Sequence, residues 1–232
     1  MPRLLASVAT IEEAALALGL GADILDLKDP AEGALGAWPL DAIRAAVARF
    51  GGMLPLSATT GDLPPDPALV VPRVGATAAT GVDYVKVGLF AGGGLEGLVA
   101  ALAPVARRCR LVAVLMADQS PDTGRLVPLL AGAGFAGAML DTAEKRRGGL
   151  RAHLGDRELA TFVAAVRARG MLSGLAGSLG VADIGPLAAM GPDYLGFRGA
   201  LCAGGREGAL DAGAFAAVRR ALDAAAPVRA VA

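Results

Sequence analysis

ILDLK (residues 24–28) alternates strictly, with Leu25 and Leu27 on one side and Asp26 and Lys28 on the other. Period-2 alternation of this kind marks a strand with one apolar face. A turn-rich stretch follows, and then a helical pattern over 40–49, with Pro39 before it and Asp41 in its first turn. Strand and helix together make one β-α unit.

The unit repeats in both directions. Further strand candidates are LLASVA (4–9), LPLSAT (54–59), YVKVGL (84–89), LVAVLMA (111–117), GAMLDT (137–142), MLSGLAGS (171–178) and YLGFRG (194–199). Apolar residues recur at i, i+3, i+4 near 11–20, 67–80, 95–107, 121–132, 157–169, 181–190 and 211–225. Gly81, Gly134 and Gly170 stop three of these helices. Eight β-α units in 232 residues predict an α/β protein with one domain over 1–232, a TIM (β/α)8 barrel. A doubly wound open sheet fits less well, since it usually has five to seven strands. Residues 226–232 read as a loose tail.

Composition narrows the function classes. The chain is 54% hydrophobic and 19% charged, which supplies a core and excludes disorder. Net charge is zero, so no general field attracts nucleic acid or an anionic membrane. No apolar run is long enough to span a bilayer, and the N-terminus reads as a first strand, not a signal peptide. Cys109 and Cys202 read as reduced thiols of a cytoplasmic protein. No His, Cys and carboxylate cluster has metal-ligand spacing, and the expected cofactor is none. The Ala-rich helices suit either the barrel wall or contacts in a homo-oligomer.

Lysine usage is the informative count. Of 22 basic residues, only Lys28, Lys86 and Lys145 are lysines. Lys28 ends the second strand, and Lys86 sits inside the fourth. Asp141 ends the sixth, with Lys145 four residues on, and Arg198 ends the eighth. Barrel chemistry occupies the C-terminal strand ends, and alternate strands share an interior layer. All three lysines are therefore expected to converge on one mouth, with Asp26 and Asp141 as their carboxylate partners. Single strand-end lysines usually snorkel into solvent. An ammonium inside an apolar strand needs a partner or loses its proton. Crowded cations favour a neutral amine, the form that attacks a carbonyl carbon; arginine cannot serve. The pattern predicts Schiff-base chemistry on an aldehyde or ketone.

Loops after the seventh and eighth strands often bind phosphate. GLAGSLG (174–180) and GFRGA (196–200) suit that task, with Gly177, Ser178, Gly196, Arg198 and Gly199 as candidate ligands. The expected partner is a small phosphorylated aldehyde. Other features carry less. GGGLEG (92–97) resembles a nucleotide loop only superficially. His153 reads as a surface or loop residue, Trp38 as packing, and Asp118 and Asp122 as helix caps at the fifth strand's exit.

DILDLKDPAEGALGA (23–37), VDYVKVGLF (82–90), MLDTAEKRRGGL (139–150), GLAGSLG and YLGFRGALC together resemble the (5-formylfuran-3-yl)methyl phosphate synthase family of methanofuran biosynthesis. The resemblance covers essentially the whole chain. Its most specific motifs are D-x-K-[DN]-P-x-E-G-x-L-G and D-T-x-x-K. It implies a metal-free barrel that condenses two molecules of glyceraldehyde 3-phosphate through a lysine Schiff base. The implied product is 4-(hydroxymethyl)-2-furancarboxaldehyde phosphate, formed with loss of one phosphate and water. By motif, Lys28 would be the nucleophile, Asp26 its neighbour on the same face, and Lys86, Asp141 and Lys145 the acid/base set. Residue patterning alone leaves open another class I aldolase or isomerase on sugar phosphates, or a non-catalytic phosphate-binding barrel.

Overall fold

Eight parallel strands close on one another in sequence order, from β1 through β8 and back to β1. They are β1 (Arg3–Val8), β2 (Ile24–Leu27), β3 (Leu56–Thr59), β4 (Tyr84–Leu89), β5 (Arg110–Met116), β6 (Gly137–Asp141), β7 (Leu172–Leu175) and β8 (Tyr194–Phe197). The computed structural model describes residues 1–225, so the expected tail over 226–232 lies outside the described residues. The helices are α1 (Ile11–Gly19), α2 (Leu40–Phe50), α3 (Pro67–Ala78), α4 (Leu95–Ala106), α5 (Thr123–Ala133), α6 (Leu150–His153), α7 (Asp156–Arg167), α8 (Val181–Ala189) and α9 (Ala212–Ala224). The expected TIM barrel is thus the observed one. The short α6 and several 3-10 turns occupy stretches read as loop.

Local chemistry starts the helices where the sequence places them. Thr10, Asp66, Asp122 and Asp211 each accept a hydrogen bond from a backbone N–H in the first turn of the following helix. Asp122 is therefore the cap it was read as. Asp118 is not: its carboxylate accepts from the N–H groups of Ala143 and Glu144, at 2.8 and 2.7 Å, and ties the loop after β5 to the loop after β6. The expected seventh strand, 171–178, shortens to Leu172–Leu175. Gly177 has φ +109° and Ser178 φ +49°, and extended pairing cannot continue through such residues.

Two apolar layers hold the barrel. Outward side chains such as Leu4, Leu25, Leu111 and Leu195 pack under the helix ring. Inward side chains such as Leu5, Ile24, Val114, Met139 and Tyr194 fill the lower interior. Above them the interior turns polar. Ser7, Asp26, Ser57, Lys86 and Asp141 are all buried. Polar groups inside a barrel carry a desolvation cost unless each finds a partner, and the partners identify the site.

Candidate active site

Asp26 is fully buried on β2, in register with Ser7 of β1 and Ser57 of β3. Registered residues on paired strands share a face, so both hydroxyls meet the carboxylate. Ser57 Oγ donates to Asp26 Oδ1 at 2.6 Å, and Ser7 Oγ donates to Oδ2 at 3.0 Å. Lys86 Nζ, reaching across from β4, donates to Oδ2 at 2.8 Å. Burial alone would raise the Asp26 carboxyl. The charges of Lys86 and Lys28, with hydrogen bonds from Lys86 and Ser57, outweigh it and hold the group below the usual carboxylate range.

Lys28 follows β2 directly and is also buried. Its Nζ lies 3.5 Å from Asp141 Oδ2, at the outer limit of a hydrogen bond. Asp141 ends β6, and its Oδ1 accepts from the Thr142 N–H at 2.7 Å. Lys28, Lys86 and Asp141 floor a cavity of about 490 Å3 at the C-terminal mouth of the barrel. That volume suits a small-molecule site. Asp26 does not line the cavity; it stands behind Lys86. The two carboxylates thus differ in reach, Asp141 facing a ligand and Asp26 facing only protein.

Glycine-rich turns form one wall. Gly177–Gly180, after β7, and Gly196 and Gly199, within and after β8, border the cavity. Among the described residues, no protein acceptor takes the N–H groups of Gly177, Ser178 or Leu179. A Cβ on Gly177 would lie 3.1 Å from Thr142 Cγ2, in a backbone conformation that L residues rarely adopt. The turn therefore requires glycine there.

Arg198 departs from its expected geometry. It borders the cavity, but its five N–H groups are committed to protein acceptors. Nε donates to the Arg206 carbonyl at 2.8 Å, and Nη2 donates to the Gly208 carbonyl at 2.9 Å. Nη1 reaches the Ser7 carbonyl at 3.3 Å, and both terminal nitrogens pair with Glu13 of α1. The guanidinium thus sits between β1, α1 and the loop after β8. The cause is Glu13, an acidic residue partly buried in the first turn of α1, whose carboxylate needs a cation.

The structure therefore brings together Asp26, Lys28, Lys86 and Asp141, and sets the glycine turns around them. The backbone of Lys145 opens a 3-10 turn after β6, while its side chain lies outside the described part of the structure. Ser7 and Ser57 escaped the sequence reading. Each occupies an inward position of its strand, one residue type among many that fit there, and only pairing register reveals that both flank Asp26. Arg206 also escaped, because the loop carrying it has no periodic pattern. GGGLEG borders a separate cavity of about 390 Å3 between the loops after β4 and β5. No group of three or more His, Cys, Asp or Glu among the described residues is placed to hold a metal. No helix among them is long and apolar enough to cross a membrane.

Comparison with known proteins identifies the family. The profile of the family described as 4-HFC-P synthase matches residues 4–219. A putative (5-formylfuran-3-yl)methyl phosphate synthase of Methylorubrum extorquens is 44% identical over 225 residues, covering 96% of this chain and 92% of that protein. The (5-formylfuran-3-yl)methyl phosphate synthase of Methanothermobacter thermautotrophicus is 37% identical, covering 87% and 90%. Among solved structures, phosphoribosyl anthranilate isomerase of Thermotoga maritima superposes with a TM-score of 0.71 at 12% identity, covering 97% of this chain and 100% of that one. The 3-hexulose-6-phosphate synthase of Salmonella typhimurium gives 0.69 at 16%, covering 96% and 99%. Identities that low establish the barrel alone. The profile match takes in every strand around the mouth, and the sequence relatives are matched over nearly their whole length. This chain, an enzyme, belongs to the 4-HFC-P synthase family.

Proposed function

We propose that the chain condenses two molecules of glyceraldehyde 3-phosphate into 4-(hydroxymethyl)-2-furancarboxaldehyde phosphate, as a Schiff-base lyase serving methanofuran-type cofactor synthesis. One observation carries the reading. Two buried lysines share the floor of a cavity at the catalytic end of a barrel, and each faces its own buried carboxylate. The relatives' names supply the furan product.

Lys28 is the nucleophile because it is held less tightly than Lys86. Its contact with Asp141 is at 3.5 Å, whereas Lys86 is locked to Asp26 at 2.8 Å. The Lys28 amine adds to the substrate carbonyl, and loss of water leaves an imine. The imine acidifies the neighbouring C–H. Asp141, beside Lys28, takes that proton. The resulting enamine expels the phosphate β to the imine, which leaves an unsaturated iminium. The enol carbon of the second triose, after losing its own proton, adds to the β carbon and forms the new C–C bond. Closure and dehydration give the furan, and hydrolysis frees Lys28. The balance is two triose phosphates to one furan phosphate, one inorganic phosphate and two waters. Lys86 lines the floor as a cation beside the developing oxyanions. Asp26 orients it, and Lys145, in the adjoining loop, assists proton transfer. The N–H groups of Gly177 and Ser178, with Gly196 and Gly199 leaving room for close approach, receive a phosphate.

Incubation with glyceraldehyde 3-phosphate, followed by mass and near-ultraviolet absorbance of the product, tests the reaction. A furan aldehyde absorbs there, whereas an aldol product does not. A hexose bisphosphate or ketose phosphate as sole product would replace the reading with an aldolase or isomerase.

A further inference from the structure

A phosphate monoester held only by backbone N–H groups leaves most of its charge unopposed, so a cation is expected beside the glycine turns. The sequence nominates Arg198, but that guanidinium has no N–H group left to offer. The same cavity wall presents another. Arg206, in the loop between β8 and α9, borders the same cavity. One of its terminal nitrogens donates to the Gly33 carbonyl at 2.8 Å, bridging to the loop after β2. Among the described residues, no carboxylate pairs with Arg206, and no other acceptor takes its remaining N–H groups. A half-buried guanidinium, fixed at one corner and open at the rest, is preorganised for an oxyanion.

The two arginines are coupled. Arg198 donates to the carbonyl of Arg206 and to that of Gly208, two residues further on. Glu13, which holds Arg198, also accepts from the Leu210 N–H at 3.1 Å, at the far end of the same loop. The Glu13–Arg198 pair therefore clips the loop at three points around Arg206.

We propose that Arg206 is the cationic ligand of the substrate phosphate, and that Arg198 with Glu13 positions the loop that presents it. This rests on the phosphate-bearing substrate proposed above. The test uses the full chain and inorganic phosphate as probe, read by calorimetry, alongside steady-state kinetics. Arg206→Ala should weaken phosphate binding about tenfold or more, the loss expected for a charge-assisted contact. It should raise KM for glyceraldehyde 3-phosphate similarly, with kcat nearly unchanged. Arg206→Gln keeps a donor for the Gly33 carbonyl but removes the charge, so it should show the same loss without a change in Tm. Arg198→Lys should instead lower Tm. Wild-type phosphate affinity in both Arg206 variants would overturn the assignment, as would a wild type that binds no phosphate. Weakened phosphate binding, with no furan formed by the wild type, would retain this site and remove the reaction. Furan formation with unchanged phosphate affinity would do the opposite.

Discussion

Lys28 and Lys86 have the same functional group in nearly the same place, and their partners separate them. Lys86 faces a carboxylate already bound by two serines, so its ammonium has a fixed seat. Lys28 meets Asp141 at the limit of hydrogen bonding and borders the open cavity. Lys28→Arg keeps the charge but cannot form an imine. That variant should fold normally, with turnover falling to background. Borohydride added during wild-type turnover should fix a substrate fragment on the peptide containing Lys28. Label on Lys86 would exchange the two roles, and its absence from every lysine would remove the imine. Ser57 offers a second test. Its hydrogen bond is one of the influences that lower the Asp26 carboxyl. Ser57→Ala should therefore raise that group, and Lys86 should lose its ionised partner at a higher pH. The acidic limb of the kcat/KM profile should shift upward, with a loss of about 1–3 kcal/mol in stability because Asp26 Oδ1 is left without its donor. An unmoved limb would separate Asp26 ionisation from turnover.

β7 and β8 show how closely the strands must fit beneath this chemistry. Gly174 lies opposite the ring of Tyr194, and a Cβ at position 174 would come 2.6 Å from the phenol oxygen and into hard contact with ring carbons. Tyr194 is buried just below Asp26; burial, reinforced by the Asp26 charge, raises its phenol far above the usual range, so it stays neutral. Gly174→Ala must displace the ring or the strand. A loss of about 1–3 kcal/mol in denaturant stability is expected, with a lower kcat because the floor shifts. Full stability would mean that the ring has room to move. This requirement had no signature in the sequence, where Gly174 was one glycine in a glycine-rich run. What could be read were the eight strands and the inward sense of Asp26, Lys28 and Lys86, because alternation is local. The roles of Arg198 and Arg206 depend on how loops cross the mouth. So does the link from Asp118 to the loop after β6. No local pattern records such contacts. Apolar periodicity made the helices legible even where Pro72, Pro104, Pro128 and Pro186 lie within α3, α4, α5 and α8. An interior proline disfavours an isolated helix, and packing against the barrel outweighs it here.

Closure of the barrel depends on β1 meeting β8, the two strands furthest apart in sequence. The Glu13–Arg198 pair spans that seam. Glu13 also accepts from the Ala9 N–H at 2.7 Å and the Leu210 N–H at 3.1 Å, so one carboxylate gathers the exit of β1, the end of β8 and the following loop. Burial alone would raise this carboxyl; the hydrogen bond and charge of Arg198, with the two backbone donors, lower it instead. A carboxyl lower in the folded than in the unfolded chain stabilises the fold above its unfolded pKa, and loses that effect as pH falls through its folded value. Glu13→Gln leaves Arg198 without its counter-charge and should cost about 3 kcal/mol near neutral pH, the lower end for a broken buried pair because Glu13 keeps some exposure. The difference between wild type and variant, followed by urea unfolding across the pH range, should be constant near neutrality. It should shrink once the solution is acidified below the ordinary glutamate range of about 4.3. Because the seam also carries the loop with Arg206, the variant should bind inorganic phosphate more weakly at neutral pH, although Glu13 itself lies outside the cavity. A stability difference that stays constant down to pH values at which wild-type Glu13 is protonated would mean that the carboxylate's charge does not hold the seam. The clip would then act through shape and neutral hydrogen bonds alone.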